Sequence, residues 1–134
     1  MIYCLDTDIL IEYFRGSEPI KRKIENLTEE DSVGLTWLTF YEFFKGIFLS
    51  GKVDEEKFLQ GLVKACIILE ESYDTAKVGG EIYATLKQKG ELINDADILI
   101  AGIVKAHNAI LVTNNVKHFS RVEGLQIENW LSLS

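Results

Sequence analysis

The chain has 134 residues, a length that predicts one domain spanning 1–134 rather than two. Hydrophobic residues make up 47% of the chain, charged residues 26%, and there is a single proline, which excludes a disordered or fibrous protein. The formal net charge is −7, and this acidic balance argues against broad adhesion to nucleic acid or to an anionic membrane.

The sequence also predicts a compartment. No apolar run approaches the roughly 18 residues that a membrane span requires, and Met1 leads into an apolar run without the basic stretch of a signal peptide. We therefore expect a cytoplasmic protein with no membrane partner. Cys4 and Cys66 lie in short apolar runs, and neither His107 nor His118 has ligand-like spacing with them. This pattern predicts reduced thiols and no zinc site.

The first part of the chain alternates short apolar runs with helical patterns. Ile2–Leu5 is a continuous apolar run, typical of a buried strand in a parallel sheet, and a helix is expected at 9–14. A second helix is predicted from Glu18 onward, because Pro19 suits the first helical position. The run at 32–36 predicts the next strand.

The rest of the chain repeats both kinds of segment. A helical hairpin is predicted with its turn at 50–52 and with Asp54 capping its second helix, and two further helices are predicted at 72–90 and at 98–104, the latter buried on most of its circumference. Strands are predicted at 65–69 and 109–112, and a half-buried edge strand at 125–130. This alternation predicts an α/β domain with a mostly parallel central sheet flanked by helices.

Polar side chains follow the predicted strands where ligands bind in open α/β sheets, outside the carboxyl ends. Asp6 follows the first strand, and Glu42 lies about one turn into the helix after the second. Asp97 opens the buried helix, and Asn115 follows the strand at 109–112. We therefore expect acids and amides from distant parts of the chain to meet at one edge of the sheet.

Each acid also fits a structural role as a helix cap: Asp6 or Asp8 for the helix at 9–14, Glu42 through a Thr39-x-x-Glu42 capping box, and Asp95 or Asp97 for the helix at 98–104. Asn114 and Asn115 would then be turn residues. Together, however, several acids without a basic partner would repel one another. A hard divalent cation such as Mg²⁺ or Mn²⁺ takes oxygen ligands, and it would also attract a polyanion to this acidic protein.

Five segments in this order carry a resemblance to a known family: residues 3–11, the pattern Thr39-x-x-Glu42-x-x-x-Gly46, and residues 97–101, 111–119 and 122–130. They span nearly the whole chain. On these segments the sequence resembles the PIN-domain ribonucleases, and within them the VapC-like toxins of prokaryotic toxin–antitoxin pairs. The resemblance implies a single PIN-like domain with an α/β/α arrangement.

The resemblance also implies a metal-dependent endoribonuclease that hydrolyses RNA phosphodiester bonds, leaving a 5′-phosphate and a 3′-hydroxyl. Asp6 and Asp97 are the expected direct ligands of Mg²⁺ or Mn²⁺, and Glu42 is expected to bind the ion through water or to orient the attacking water. Asn115 occupies the fourth position of the site, where many PIN domains carry Asp, and is expected to position water or phosphate.

Four further residues are secondary candidates for the site: Thr7, Asp8, Asp95 and Thr113. The hydroxyls of Thr7 and Thr113 suit bonding to a carboxylate or a water. Related toxins often have Asn where this chain has Asp8, and an acid where it has His118.

The expected partners are an RNA substrate, a second copy of the chain and a cognate antitoxin that inserts a segment with an Arg into the acidic pocket. Two other functions stay open at this point. Asp6-Thr7-Asp8 after a strand is similar to the motif of aspartyl-phosphate phosphotransferases, although that motif expects Thr where this chain has Leu10. The second is an acidic, non-catalytic α/β interaction domain.

Overall fold

The structure is a computed structural model that describes residues 1–131, so the last three residues of the predicted 1–134 domain lie outside it. Its centre is one sheet of five strands: β1 (Ile2–Leu5), β2 (Ser32–Leu35), β3 (Ile67–Ile68), β4 (Ile110–Val112) and β5 (Gln126–Glu128). The strand order is β3-β2-β1-β4-β5 and every pairing is parallel. The predicted parallel sheet is confirmed, with no antiparallel strand among the described residues.

Helices cover both faces of the sheet: α1 (Thr7–Phe14), α2 (Glu18–Glu25), α3 (Trp37–Ser50), α4 (Glu56–Ala65), α5 (Tyr73–Gln88), α6 (Asp95–Ala106) and α7 (Val116–Phe119). One core joins the sheet to α1 through α4, and a second core joins the other face to α5 through α7. The layers are therefore α/β/α, as predicted. Within residues 1–131 no helix has the length and apolar character needed to cross a membrane.

Most predicted elements shift by a few residues at their ends, and the strand predicted at 125–130 shortens to β5, but two differences have a clear local cause. The strand predicted at 65–69 shortens to β3, because α4 extends through Ala65 and Cys66 caps it by donating its amide to the Leu62 carbonyl. Asp54 was expected to cap the second helix of the hairpin. It lies instead in a 3₁₀ turn, Val53–Glu55, and α4 begins after that turn.

Other local predictions are confirmed. The turn of the helical hairpin is made by Gly51, whose φ of +73° is a conformation that favours glycine. Helix α6 is buried on most of its surface, and Leu99, at 45% exposed, marks its solvent side. Both cysteines are free thiols, Cys4 fully buried and Cys66 partly so.

The winding of the chain determines where a site can form. After β1 the chain builds β2 and β3 on one side, then returns to place β4 and β5 on the other side. The strand order therefore reverses between β1 and β4, and such a reversal opens a crevice outside the carboxyl ends of the strands. Helices α1 and α3 begin at these ends, directly after β1 and β2.

Candidate active site

Asp6 lies at the carboxyl end of β1, in the crevice, and only 7% of its surface is exposed. It is the residue that caps α1, since its Oδ1 accepts a hydrogen bond from the Thr7 amide at 2.9 Å. Its Oδ2 accepts a hydrogen bond from the Thr113 hydroxyl at 2.8 Å, across from the end of β4. Capping and a site role therefore coexist at Asp6, and Thr113 holds its carboxylate in place.

Glu42 does not act as a helix cap. Helix α3 is capped by Thr36, whose hydroxyl accepts a hydrogen bond from the Thr39 amide at 3.2 Å, so the expected Thr39-x-x-Glu42 capping box is wrong by one turn. Glu42 instead accepts a hydrogen bond from the Thr7 hydroxyl at 3.0 Å. Because Thr7 also binds Asp6 through its amide, it links the two acids that follow β1 and β2.

Asp8 connects two loops of the same edge. One carboxylate oxygen accepts a hydrogen bond from the Ile9 amide at 2.7 Å, and the other accepts one from the Asn114 amide at 3.1 Å. The second bond ties the loop after β4 to the start of α1. Asp8 is thus both a local cap and a clamp across the crevice.

Asp97 lies in the first turn of α6 and is half-buried, but the cap of that helix is Asn94. The Asn94 side chain accepts a hydrogen bond from the Asp97 amide at 2.9 Å and donates one to Asp97 Oδ2 at 3.0 Å. The predicted caps Asp95 and Asp97 are therefore corrected to Asn94. Asp95 itself is exposed.

The fourth position, Asn115, is held through both its backbone and its side chain. Its amide donates to the Thr113 hydroxyl at 3.0 Å, which connects it to Asp6 through Thr113. Its side-chain Nδ2 lies 3.1 Å from Nδ1 of His118, one turn further along α7. Two partners of the site residues were not predicted from the sequence: Asn94, which bonds Asp97, and His118, which contacts Asn115. The Asn94-x-x-Asp97 capping pattern and the three-residue spacing of Asn115 and His118 were the available signals.

The electrostatics of the acids are coupled. The pKa of Asp6 is raised to about 7, mainly by burial and next by the negative charge of Asp8. Hydrogen bonds from Thr113 and Thr7 oppose this rise, and the charge of Asp97 adds to it. Burial also raises the pKa of Asp97; the hydrogen bond from Asn94 opposes this rise, whereas the charge of Glu42 adds to it. The acids at this edge of the sheet therefore interact electrostatically, as expected for acids that lie close together: Asp6, Asp8, Glu42 and Asp97.

Within residues 1–131 no ion pair neutralises these acids. The four ion pairs within residues 1–131 involve the amino terminus, Arg15, Lys21 and Lys89, and none includes Asp6, Glu42 or Asp97. The donor set, carboxylates with a neighbouring amide, is the oxygen chemistry that Mg²⁺ and Mn²⁺ take. As the side chains stand, no three His, Cys, Asp or Glu residues in the described part of the chain are close enough to share one ion. The residues fit a divalent ion in chemistry, while the cluster is more open than a closed metal centre.

A groove leads away from the acidic cluster. It has a volume of about 380 Å³, begins beside Glu42 and runs between α1 and α3. Its walls include Phe14 and Phe43, and its polar rim includes Arg15 and Lys52. An extended chain with an apolar side and a charged end could lie in this groove next to the acids.

Comparison with known proteins assigns this chain and its fold to a family. The PIN domain family matches residues 3–125, and the chain belongs to that family. Ribonuclease VapC2 of Rickettsia felis is 33% identical over 133 residues, covering 97% of this chain and 98% of its own. The tRNA(fMet)-specific endonuclease VapC of Shigella flexneri is 29% identical over 129 residues, covering 96% and 97%. A solved structure of VapBC-1 from nontypeable Haemophilus influenzae superposes with a TM-score of 0.89 at 29% identity, covering 98% of this chain and all of that one.

Proposed function

We propose that this protein is a divalent-metal-dependent endoribonuclease and the toxin of a toxin–antitoxin pair. The observation that carries the proposal is the acidic cluster at the carboxyl edge of the sheet, where the buried Asp6 is held beside other acids and forms no ion pair with any of the described residues. Membership of the PIN domain family and relatives named ribonuclease VapC support it.

Asp6 and Asp97 would hold Mg²⁺ or Mn²⁺ directly, with Glu42 acting through a water molecule. A bound ion of this kind lowers the pKa of water and neutralises charge that develops on the phosphate oxygens. Thr113 and Thr7 fix the Asp6 carboxylate, and Thr7 also orients Glu42. Asn115 would bind the attacking water or a phosphate oxygen, so that no Ser, Cys or His nucleophile is required.

The first substrates to test are structured RNAs, and transfer RNA in particular, because one relative is named a tRNA(fMet)-specific endonuclease. Cleavage by attack of water on the phosphodiester should leave a 5′-phosphate and a 3′-hydroxyl. Purified protein should cleave such RNA with Mg²⁺ or Mn²⁺ and stop when EDTA is added.

The decisive variant is Asp6→Asn, which preserves shape and relieves repulsion between acids. It should fold, by circular dichroism, and lose cleavage by a factor of about 10² or more because an ion ligand is lost. Asp54→Asn, at an exposed acid in the 3₁₀ turn, is the matched control and should keep parental activity. Parental activity in folded Asp6→Asn, or cleavage by the parent in EDTA, would overturn the proposal.

The sequence around Asp6 disfavours the aspartyl-phosphate alternative. The motif of those enzymes expects Thr two residues beyond its second Asp, where this chain has Leu10. Trapping with beryllium fluoride should therefore give no adduct at Asp6, and an adduct there would revive that alternative.

The partner proposed for this toxin is a cognate antitoxin, because structural neighbours are VapBC complexes. The groove beside Glu42 suits an antitoxin segment whose apolar side chains lie against Phe14 and Phe43 and whose Arg reaches the acids. Such a segment would neutralise the cluster and exclude RNA from it. We also propose that the toxin is a homodimer.

A further inference from the structure

His118 is not required by the proposed chemistry, yet it is bonded to one of the residues of the site. It lies on α7, partly buried, with Nδ1 at 3.1 Å from the side-chain nitrogen of Asn115. Asn115 is in turn linked to Asp6, because its amide donates to the Thr113 hydroxyl and that hydroxyl donates to Asp6. His118 therefore ends a chain of hydrogen bonds that starts at the buried acid.

The contact selects one orientation of the Asn115 side chain. The planar amide group of Asn115 carries a donor, Nδ2, and an acceptor, Oδ1, on opposite sides of its Cβ–Cγ bond axis. When Nδ1 of His118 carries no proton, it can only accept, so Nδ2 of Asn115 faces the imidazole and Oδ1 faces away from it. If the amide turned over, two acceptors would face each other at 3.1 Å and the hydrogen bond would be lost.

The orientation matters because the two ends of the amide do opposite things in an acidic site. An oxygen directed away from His118 is a ligand or acceptor for an ion or its water, whereas an NH₂ group in that place would donate to the carboxylates and occupy them. Thr113 fixes only the backbone of Asn115 and cannot choose between the two ends. The imidazole is the contact that makes this choice.

We propose that His118 is a positioning residue, which holds the Asn115 amide so that its oxygen, and not its NH₂ group, is offered to the reacting side of the site. This inference rests on the proposed nuclease function for its catalytic consequence, but the hydrogen bond itself is testable without any ion or RNA. Replacing a residue that orients a side chain of a metal site without contacting the ion typically lowers activity by about 10 to 100-fold.

The test uses three variants of His118, two of which differ in where a side-chain oxygen replaces a ring nitrogen of the imidazole. In His118→Asn the side-chain oxygen takes the place of Nδ1, whereas in His118→Gln it lies one bond further out, near the place of Nε2. His118→Leu removes the acceptor. We expect kcat for RNA cleavage to fall about tenfold in His118→Leu and His118→Gln, with KM nearly unchanged, and to recover largely in His118→Asn. A role in packing alone would not separate Asn from Gln in this order.

A double-mutant cycle connects the effect to Asn115. In an Asn115→Ala background the amide is gone, so His118→Leu should cause no additional loss of kcat. Equal losses in both backgrounds, or equal activity of His118→Asn and His118→Gln, would overturn the proposal. Circular dichroism and melting temperature show that each variant is folded before its rate is compared.

The second measurement separates this inference from the nuclease proposal. In ion-free protein labelled with ¹⁵N, the Asn115 side-chain NH₂ signal should shift on His118→Leu and return toward its parental position in His118→Asn. If the signal ignores all three substitutions, the hydrogen bond is absent and the inference is wrong, whatever the nuclease activity. If the signal responds as expected but the parent cleaves no RNA, the positioning contact stands and the proposed function fails.

Discussion

The surroundings of Asp6 disfavour the charged form of its carboxyl group. Its pKa is about 7 in the folded protein, against 3.8 for the free side chain, mainly because it is buried and secondarily because Asp8 is near. Between these two values the folded chain keeps a proton that the unfolded chain has lost. In EDTA, stability should therefore fall as pH rises from about 4 to 7, by up to about 4 kcal/mol from this group.

The measurement is urea unfolding of the parent and of Asp6→Asn across that pH range. The other acids are common to both proteins, so the difference in unfolding free energy reports the titration of Asp6 together with its coupling to Asp8 and Asp97. The parent should lose stability relative to the variant as pH rises. A difference that stays constant with pH would show that Asp6 titrates normally.

Asn115 provides a gain-of-function prediction. Asn115→Asp places a carboxylate at the fourth position, and an added charged ligand should tighten Mn²⁺ binding on the order of tenfold. It should also lower stability in EDTA, because another acid joins Asp6 and Asp97 without a cation. Calorimetry with Mn²⁺ checks the first effect and thermal melting the second. Unchanged titration together with an unchanged cleavage rate would place Asn115 outside the site.

At the residue scale, the sequence predicted which residues gather at the sheet edge but not how they bond. Asp6, Glu42, Asp97 and Asn115 follow strands or open helices, and that position is visible in the pattern. The partner of Glu42 is a hydroxyl 35 residues away, and only the folded chain brings Thr7 to it. The capping pattern alone could not identify the residue that caps α3, because both Thr36 and Thr39 fit it. In the structure the cap is Thr36, which directly follows β2.

At the element scale, the contact between α5 and α6 depends on a close approach of two backbones. A Cβ added at Gly102 would lie 3.0 Å from both Cα and N of Gly79 and 3.1 Å from the Thr75 carbonyl. These are backbone atoms that cannot move without shifting the helix. Gly102→Ala should therefore destabilise the protein by about 1–3 kcal/mol through overpacking.

The matched control is Gly80→Ala, at an exposed position of α5 where an added Cβ meets nothing within 4 Å. It should stabilise the protein by up to about 1 kcal/mol, since Ala favours helix. Denaturant midpoints of the two variants should move in opposite directions. Parental stability in Gly102→Ala would show that the helices separate easily at this point.

The elements with continuous patterns were the ones predicted well. The three- and four-residue spacing of Gly79, Ile82, Tyr83 and Leu86 predicted the buried face of α5; Gly79, Ile82 and Leu86 are buried, whereas Tyr83 is 39% exposed. The strand predicted at 65–69 is shorter in the structure, because its first residues fit the last turn of an amphipathic helix as well as they fit a strand. Local pattern cannot decide that boundary. The pairing of β3 with Leu35 through the Leu69 amide does decide it, and that contact is non-local.

At the scale of the whole molecule, α3 has more apolar surface than its own core uses. Phe40, Phe43 and Ile47 are buried in the core, while the neighbouring side of the helix leaves Trp37, at 49%, and Phe48, at 67%, exposed. Tyr41 and Leu49 are also exposed, at 58% and 89%. Several large apolar side chains exposed on one helix are typical of an interaction surface, and they support the proposed homodimer.

Phe48→Glu tests that dimer, since a charge at the centre of an apolar interface should weaken association by at least about tenfold. Tyr73→Glu is the matched control, because Tyr73 is an aromatic residue 85% exposed on α5, away from this face. Sedimentation equilibrium of the isolated chain should give a dimer for the parent and for Tyr73→Glu, and a shift toward monomer for Phe48→Glu. If the parent is monomeric at all concentrations, the exposed face of α3 serves another partner and the homodimer is wrong.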